Sequence, residues 1–192
     1  MKSLIVGLVL FNVLTTAFAE VRDEMFFEEW MRNQSTSDYD RFLQTAELFD
    51  VIPIHQLLRT ASDWEKCGGP PFEMPPRNNW KDVKKVLLLI NKLQKDFILT
   101  NFEVVSGYRN NSLNRCAGGA PHSSHAERFA VDLILTDHPS QSIRLCNFWL
   151  KEGQRWNMGL SRYPSGRLHI DASGYRTWGG NYKSNTSYCK QK

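Results

Sequence analysis

A carboxylate stands in the middle of an otherwise apolar, strand-like segment of this chain. The segment runs from Phe129 to Leu135 and carries Asp132 at its centre, seven positions after His125 in a polar loop. A buried carboxylate without a partner costs several kcal/mol or takes up a proton, because burial removes the water that solvates its charge. We therefore expect the fold to bring a compensating group to Asp132.

A second predicted strand, Arg167–Ala172, supplies polar residues of the same kind. Its alternation places His169 and Asp171 on one face, because successive side chains of a strand point to opposite faces. If both strands belong to one sheet, His125, Asp132 and His169 can converge. Two imidazoles and one carboxylate form a frequent ligand set for catalytic zinc, with a fourth position left to water. Each residue alone is more often an ordinary hydrogen-bonding group, so the spacing by itself gives only a hypothesis.

The remaining segments predict a mixed architecture with turn-rich connections. The predicted strands are Phe102–Ser106, Phe129–Thr136, Met158–Ser161 and Arg167–Ala172. The predicted helices are Glu24–Arg32, Tyr39–Phe49, Ile54–Ser62, a long helix that follows an N-cap at Asn79, and Pro139–Lys151. Helices and short strands in this order are typical of an α+β domain, here with a small antiparallel sheet, packed helices and a helical N-terminal region.

Two of these helices carry an apolar side that we expect to be buried. In the long helix this side consists of Val83, Val86, Leu87, Ile90, Leu93 and Phe97. In the last helix it consists of Ile143, Cys146, Trp149 and Leu150. The periodicity therefore predicts that both helices pack on the core.

The N-terminal residues predict export. Lys2, the apolar run Leu4–Leu14 and the end Ala17-Phe18-Ala19 are typical of a signal peptide at residues 1–19. The run is shorter than the about 20 residues of a membrane span, so we expect cleavage and no stable membrane insertion. An uncleaved N-terminal anchor is the alternative. Residues 20–76 are predicted to form a helical N-terminal region and linker, and residues 77–192 the main domain.

Charge and cysteine content restrict the classes of partner and the cellular compartment that we expect for the protein. The formal net charge is +4 and falls to +3 without residues 1–19, and no Lys/Arg cluster of the kind that binds nucleic acid is present. The four cysteines, all after residue 19, are Cys67, Cys116, Cys146 and Cys189. In an oxidising compartment they predict up to two disulfides, with three connectivities left open. Their wide spacing argues against a cysteine-ligated metal site.

Several motifs between Asn101 and Trp178 together carry a resemblance to a known family. They are Ser106-Gly107-Tyr108-Arg109, Ser123-Ser124-His125, Ala130-Val131-Asp132, Tyr163-Pro164 and His169-Ile170-Asp171, followed by Arg176 and Trp178. In this order they resemble the zinc D-alanyl-D-alanine carboxypeptidase family of peptidoglycan peptidases, in the branch whose last ligand lies in a His-x-Asp motif. The resemblance implies Zn²⁺ as cofactor, held by His125, Asp132 and His169.

The resemblance also implies roles for residues beside the ligands. Arg109 is similar to the family arginine that binds a substrate carboxylate, and Ser123 is expected to contact substrate or to hold its loop. Many relatives place a catalytic Glu three residues before the last His, where this chain has Gly166. Asp171 is therefore the predicted general base. The alternative role for Asp171 is to orient His169.

The function implied by the resemblance is hydrolysis of peptide bonds in peptidoglycan stem peptides or cross-links by a metal-activated water. The protein would then be a zinc peptidase, either a carboxypeptidase or an endopeptidase, secreted to a bacterial periplasm. One alternative is a non-catalytic zinc-binding domain that acts as a binding module, as in the related fold of hedgehog signalling domains. A structural wall-binding protein without metal is a further alternative, but it requires the three ligands to coincide by chance.

Overall fold

The computed structural model describes residues 24–135 and 138–190. The predicted signal peptide at residues 1–19 lies outside this range. Contacts within the chain divide it into two units, Met1–Tyr39 and Asp40–Lys192. In the described part of the first unit, residues 24–31 form helix α1, where the rings of Phe27 and Trp30 stack at 5.8 Å.

Six further α-helices follow along the described chain. They are α2 (Ser37–Thr45), α3 (Ile54–Leu57), α4 (Trp80–Lys95), α5 (Asn111–Cys116), α6 (Ser124–Glu127) and α7 (His138–Glu152). Two single turns of 3₁₀ helix lie at Arg77–Asn79 and Ser184–Thr186. None of the helices in the described ranges is long and apolar enough to cross a membrane.

One five-stranded sheet forms the centre of the second unit. Its strands are β1 (Phe102–Ser106), β2 (Ala130–Leu135), β3 (Gly159–Arg162), β4 (Leu168–Asp171) and β5 (Arg176–Trp178). Their spatial order is β1-β2-β4-β3-β5, and all neighbours are antiparallel except β3 and β5, which are parallel. The predicted α+β class with a small, mostly antiparallel sheet is confirmed. The edge strand β5 was not predicted, because three residues are too few to show a period.

Helix α4 buries the side that its periodicity predicts, with two corrections at its ends. Val83, Val86, Leu87, Ile90 and Leu93 are fully buried, and the helix contacts β2. Phe97 lies beyond the last helical residue with φ of 55°, and its ring is 75% exposed. Asn79 does not cap the helix through its side chain: its own backbone is helical, with φ of −90° and ψ of −11°, and its Nδ2 donates to the carbonyl of Arg128 at 2.5 Å.

Helix α7 buries only part of the predicted side. Ile143 and Leu150 are 63% and 58% exposed, whereas Leu145, Phe148 and Trp149 are buried. The prediction was therefore wrong for Ile143 and Leu150, because a chain with apolar residues on both sides of a helix does not reveal which side faces the core. The indole Nε1 of Trp149 donates to the carbonyl of Met158 at 3.2 Å, which ties α7 to the start of β3.

The register of the central strands brings the polar residues of the sequence motifs together. Asp132 on β2 lies directly opposite His169 on β4. Asp171 on β4 lies opposite Gly159 on β3, and Gly159 lies opposite Arg176 on β5. Opposite residues in a sheet have Cβ atoms about 4.5–5.5 Å apart, so their side chains interact on a shared face. The register therefore sets up two polar groups, one at Asp132 and one at Asp171.

The segment after α3 packs against the end of β1. The backbone carbonyl of Arg59 accepts a hydrogen bond from the backbone N–H of Gly107 at 2.7 Å, and Nη1 of Arg59 donates to the carbonyl of Val104 at 2.7 Å. A Cβ atom at position 107 would lie 2.5 Å from the carbonyl oxygen of Leu57, so only glycine allows this approach. The contact fixes the backbone of Gly107 at the site. The predicted boundary between residues 76 and 77 stays a prediction.

Two disulfides join distant segments of the second unit, which confirms the prediction from the cysteine content. They link Cys67 to Cys116 and Cys146 to Cys189, and the described residues contain no free cysteine. The first ties the segment before α4 to α5, and the second ties α7 to the C-terminal residues. Such pairs are typical of proteins in an oxidising, extracellular compartment.

The disulfide between Cys146 and Cys189 gives the first testable prediction. It closes a long loop, with a sequence separation of 43, so its removal frees the unfolded chain and lowers the free energy of unfolding. We expect the double variant Cys146→Ala, Cys189→Ala to lose about 2–4 kcal/mol in urea unfolding. Peptide mapping without reductant should recover both pairs. Recovery of Cys67 linked to Cys146 would contradict the connectivity.

Candidate metal centre

Three donor atoms on three side chains meet at one point of the sheet. Nε2 of His125, Nδ1 of His169 and Oδ1 of Asp132 are separated from one another by 3.1 Å in each case. The three side chains are between 1% and 5% exposed. They are also the group of residues in the described ranges whose donor atoms are placed to hold one metal ion. The predicted convergence of His125, Asp132 and His169 is thus present in the structure.

The dimensions and chemistry of this donor triangle fit a small divalent ion. Donor atoms that share one ion through bonds of ~2.0–2.2 Å in a tetrahedron lie roughly 3.3–3.6 Å apart, close to the observed 3.1 Å. Two imidazole nitrogens and one carboxylate oxygen are donors that zinc accepts readily. The three residues therefore fit the metal that the sequence motifs imply.

Both imidazole rings are held by acceptors on their far sides. Nδ1 of His125 contacts the carbonyl oxygen of Gly107 at 2.6 Å, and Nε2 of His169 contacts Oδ2 of Asp171 at 2.8 Å. Because a carbonyl or carboxylate only accepts, each of these ring nitrogens must carry a proton. The nitrogen that faces the triangle is then free to offer its lone pair. This arrangement is common around ligating histidines and fixes both tautomer and ring orientation.

The carboxylate of Asp171 is fully buried and occupied by hydrogen bonds. Oδ2 accepts from His169 and from Nη2 of Arg176 at 2.7 Å, and Oδ1 accepts from Nη1 of Arg176 at 3.0 Å and from the backbone N–H of Ser173 at 2.8 Å. A Cβ atom on Gly159 would collide with both Asp171 and Arg176. Glycine at position 159 therefore leaves the room in which the arginine crosses β3 to reach Asp171.

The contacts of Asp171 bear on which of its two predicted roles, general base or orientation of His169, is the better supported. Its oxygens contact Nε2 of His169, whereas Nδ1 of the same ring faces the donor triangle. A general base must reach the proton that it removes, and within the described residues the hydrogen bonds of Asp171 involve no donor atom of the triangle. The geometry favours orientation of His169 as the role of Asp171, and its role as base stays a prediction. At the family's glutamate position, Gly166 has φ of 87° in the turn between β3 and β4.

Arg109 holds the second oxygen of the Asp132 carboxylate. Its Nη2 donates to Oδ2 of Asp132 at 3.2 Å, and both side chains are buried. This contact leaves Oδ1 to the donor triangle. Nε of Arg109 is buried and has no hydrogen-bond partner within the described part of the chain. Arg109 thus supports a ligand, and its predicted contact with substrate stays a prediction.

The groups around the triangle explain why the carboxylate of Asp132 stays charged although it is buried. Burial and the charge of Arg109 lower the pKa of His125 to about 4, so its ring is neutral at pH 7. Burial alone would lower the pKa of His169, but hydrogen bonds to Asp132 and Asp171 raise it to about 8. Burial alone would raise the pKa of Asp132, but its contacts with His125 and His169 hold it well below its usual value. A cation at this point, proton or metal, compensates the carboxylate.

A cavity of about 580 Å³ opens onto the donor triangle. Asp132, His169 and Arg109 line it together with Tyr163 and Trp178. The hydroxyl of Tyr163 lies 3.4 Å from Nδ1 of His169, and burial raises the pKa of this phenol, so it carries its proton at pH 7. The donor triangle is therefore reached from a space large enough for several amino-acid residues.

Two other polar residues of the same loop have separate roles. The hydroxyl of Ser123 accepts from the backbone N–H of His125 at 3.3 Å at the start of α6, so it holds the loop. Ser123 also lines the cavity, and its predicted contact with substrate stays untested. The ring of His122 is 88% exposed and pairs with Glu127 at 2.7 Å, outside the triangle.

Some groups that build the site carry no signal in the sequence. The carbonyl of Gly107 holds His125, but every residue has a backbone carbonyl, so the sequence does not show which one makes this contact. Arg176 was part of the motif series, yet its pairing with Asp171 depends on the unpredicted strand β5. The contact of Arg109 with Asp132 could have been proposed, since a buried carboxylate needs a donor for each oxygen.

The comparisons with known proteins support this reading of the geometry. The chain matches the family model described as Peptidase M15 over residues 57–171, which is more than half of its 192 residues. No curated protein and no solved structure gives a significant match. The matched range contains α4, the strands β1 to β4 and all three residues of the donor triangle.

The role of Asp171 gives the second testable prediction. In Asp171→Asn the charge that orients His169 is lost and Arg176 is left without its carboxylate, so zinc affinity should fall about 10- to 100-fold. Competition with a chromogenic chelator measures this affinity. Asp96→Asn is the control: Asp96 forms a surface ion pair with Lys92 and does not line the cavity, so this variant should leave the affinity unchanged.

The same variant tests the alternative role. If Asp171 is the general base, zinc affinity stays at the wild-type value while turnover on a cleaved peptide falls by about 10²- to 10⁴-fold. That pair of results would contradict the orienting role that the geometry favours. Recovery of turnover in excess zinc would support it.

Proposed function

The chain belongs to the peptidase M15 family, and on that basis we propose that it is an exported zinc peptidase that cleaves peptide bonds in peptidoglycan stem peptides or cross-links. M15 peptidases depend on a metal, and the buried donor triangle supplies a place for one. The disulfides agree with secretion to an oxidising compartment, for which we propose the bacterial periplasm. Carboxypeptidase and endopeptidase activity both remain within the proposal.

The observation that carries the proposal is the donor triangle with its two fixed tautomers. Metal sites that only stabilise a fold usually close four protein ligands around the ion, whereas catalytic sites keep one position open. Here three protein donors meet, and Asp132 and His169 also line the cavity. A zinc ion held by these residues would therefore be accessible from the cavity.

We assign different roles in the proposed reaction to the residues around the triangle. A bound zinc ion supplies an activated water as nucleophile and polarises the scissile carbonyl. Tyr163 carries a hydroxyl proton beside His169, where it can donate to a carbonyl oxygen of the substrate. Arg109 lines the cavity and is the proposed anchor of a substrate carboxylate, although one of its nitrogens already donates to Asp132. Asp171 orients His169.

A non-catalytic zinc-binding domain is the second candidate function. The donor triangle alone is compatible with it, since a ligand set does not require turnover. The open cavity and the membership of a peptidase family favour the enzyme. Peptide products distinguish the two candidates directly, because a binding module forms none.

The third testable prediction concerns cleavage and its dependence on metal. We expect the purified protein to release products from muropeptides, identified by mass, and to lose this activity in excess chelator and regain it with zinc. His125→Ala removes one donor of the triangle and should abolish both stoichiometric zinc and cleavage. His55→Ala is the matched control, because His55 lies on α3 and does not line the cavity.

Two results would count against the proposal. Stoichiometric zinc in His125→Ala would place the metal elsewhere. Zinc bound to the wild-type protein without cleavage of any muropeptide would favour the binding module.

A further inference from the structure

Among the described residues, a third arginine of the cavity, Arg167, forms side-chain hydrogen bonds only with neutral groups. Its Nη1 donates to Oγ of Ser62 at 2.7 Å, and its Nε donates to Oγ of Ser165 at 3.3 Å. Within the described residues no carboxylate lies within ion-pair distance of it, although Asp63 also lines the cavity. Two serines on different loops therefore hold a guanidinium at the cavity without neutralising its charge.

The other arginines of the cavity wall differ in this respect. Arg109 donates to Asp132 and Arg176 donates to Asp171, so both charges are already balanced inside the protein. The two serine contacts of Arg167 leave its positive charge without a negative partner among the described residues. A guanidinium presents a planar fork of donors that matches a carboxylate, and one that is already positioned loses less freedom when it binds.

Arg167 lies close in the chain to a residue of the donor triangle. Arg167 directly precedes β4, two residues before His169, and its carbonyl accepts from the backbone N–H of Tyr163 at 2.9 Å. In extended backbone, residues two apart share a face and lie about 6.6–6.8 Å apart. Arg167 and His169 also line the same cavity, so a peptide bound at the triangle can extend to Arg167.

We infer that Arg167 binds a carboxylate of the substrate near the cleaved bond, and so makes the cavity selective for acidic peptides. This inference rests on the proposed function for the position of the cleaved bond. The carboxylate has two chemical sources, an acidic side chain or the free end of the peptide. Both present the same two oxygens to the guanidinium, so the experiment must separate them.

Two pairs of matched peptides test the inference. One pair differs only in a Glu or Gln residue near the cleaved bond, and the other only in a free or amidated C-terminus. Dissociation constants are measured by tryptophan fluorescence on zinc-free protein, which cannot cleave, and kcat/KM is measured on the zinc-loaded protein. The proteins are the wild type, Arg167→Gln and the control Arg155→Gln, which changes an exposed arginine outside the cavity.

We expect the wild type and Arg155→Gln to bind the acidic member of at least one pair about tenfold more tightly, as a charged hydrogen-bonded contact requires. Arg167→Gln should bind both members equally, at the affinity of the neutral one. The pair that shows the effect identifies the source of the carboxylate. If the thermal midpoint shows that Arg167→Gln is unfolded, Arg167→Lys replaces it, because it keeps the charge and should lose part of the preference.

Two results would overturn the inference, and a third concerns only the proposed function. Equal binding of both members of each pair by the wild type would overturn it, as would the full preference in Arg167→Gln. A preference that depends on Arg167, without cleavage of any peptide by the zinc-loaded protein, would support the binding site while the proposed peptidase activity fails.

Discussion

The burial of Asp132 between two histidines is the constraint on which the site depends. A carboxylate in this position must be compensated, and the chain surrounds it with Nε2 of His125, Nδ1 of His169 and Nη2 of Arg109. The antiparallel pairing of β2 and β4 places Asp132 opposite His169, so the strand register alone fixes two of the three donors. A metal at this point replaces a proton as the compensating cation.

A second layer of contacts turns these side chains into a defined donor set. The carbonyl of Gly107 and the carboxylate of Asp171 each accept a hydrogen bond from one ring N–H, so that the other ring nitrogen faces inward. Both acceptors depend on glycine, although for different reasons. Gly107 allows the backbone to approach Leu57, and Gly159 leaves the space in which Arg176 meets Asp171. The rigidity of the site therefore comes from backbone packing as much as from charge.

The sequence predicts the inner part of this arrangement well, because it rests on period-two alternation. The alternation predicted the strand faces of Asp132 and His169, and the family resemblance joined them to His125; the structure places both strands in one sheet. The alternation could not reveal β5, whose three residues pair in parallel with β3, and so the partner of Asp171 was missed. Helix faces were predicted where apolar residues are confined to one side, as in α4, and not where they surround the helix, as at Ile143 and Leu150.

The central claim is that His125, Asp132 and His169 hold a zinc ion and leave its remaining position open. X-ray absorption at the zinc edge of the loaded protein tests this most directly, because it reports the type and distance of each ligand without substrate. The account predicts nitrogen and oxygen ligands at ~2.0–2.2 Å, with the scattering of two imidazole rings. A sulfur ligand at ~2.3 Å, or a single imidazole, would contradict it.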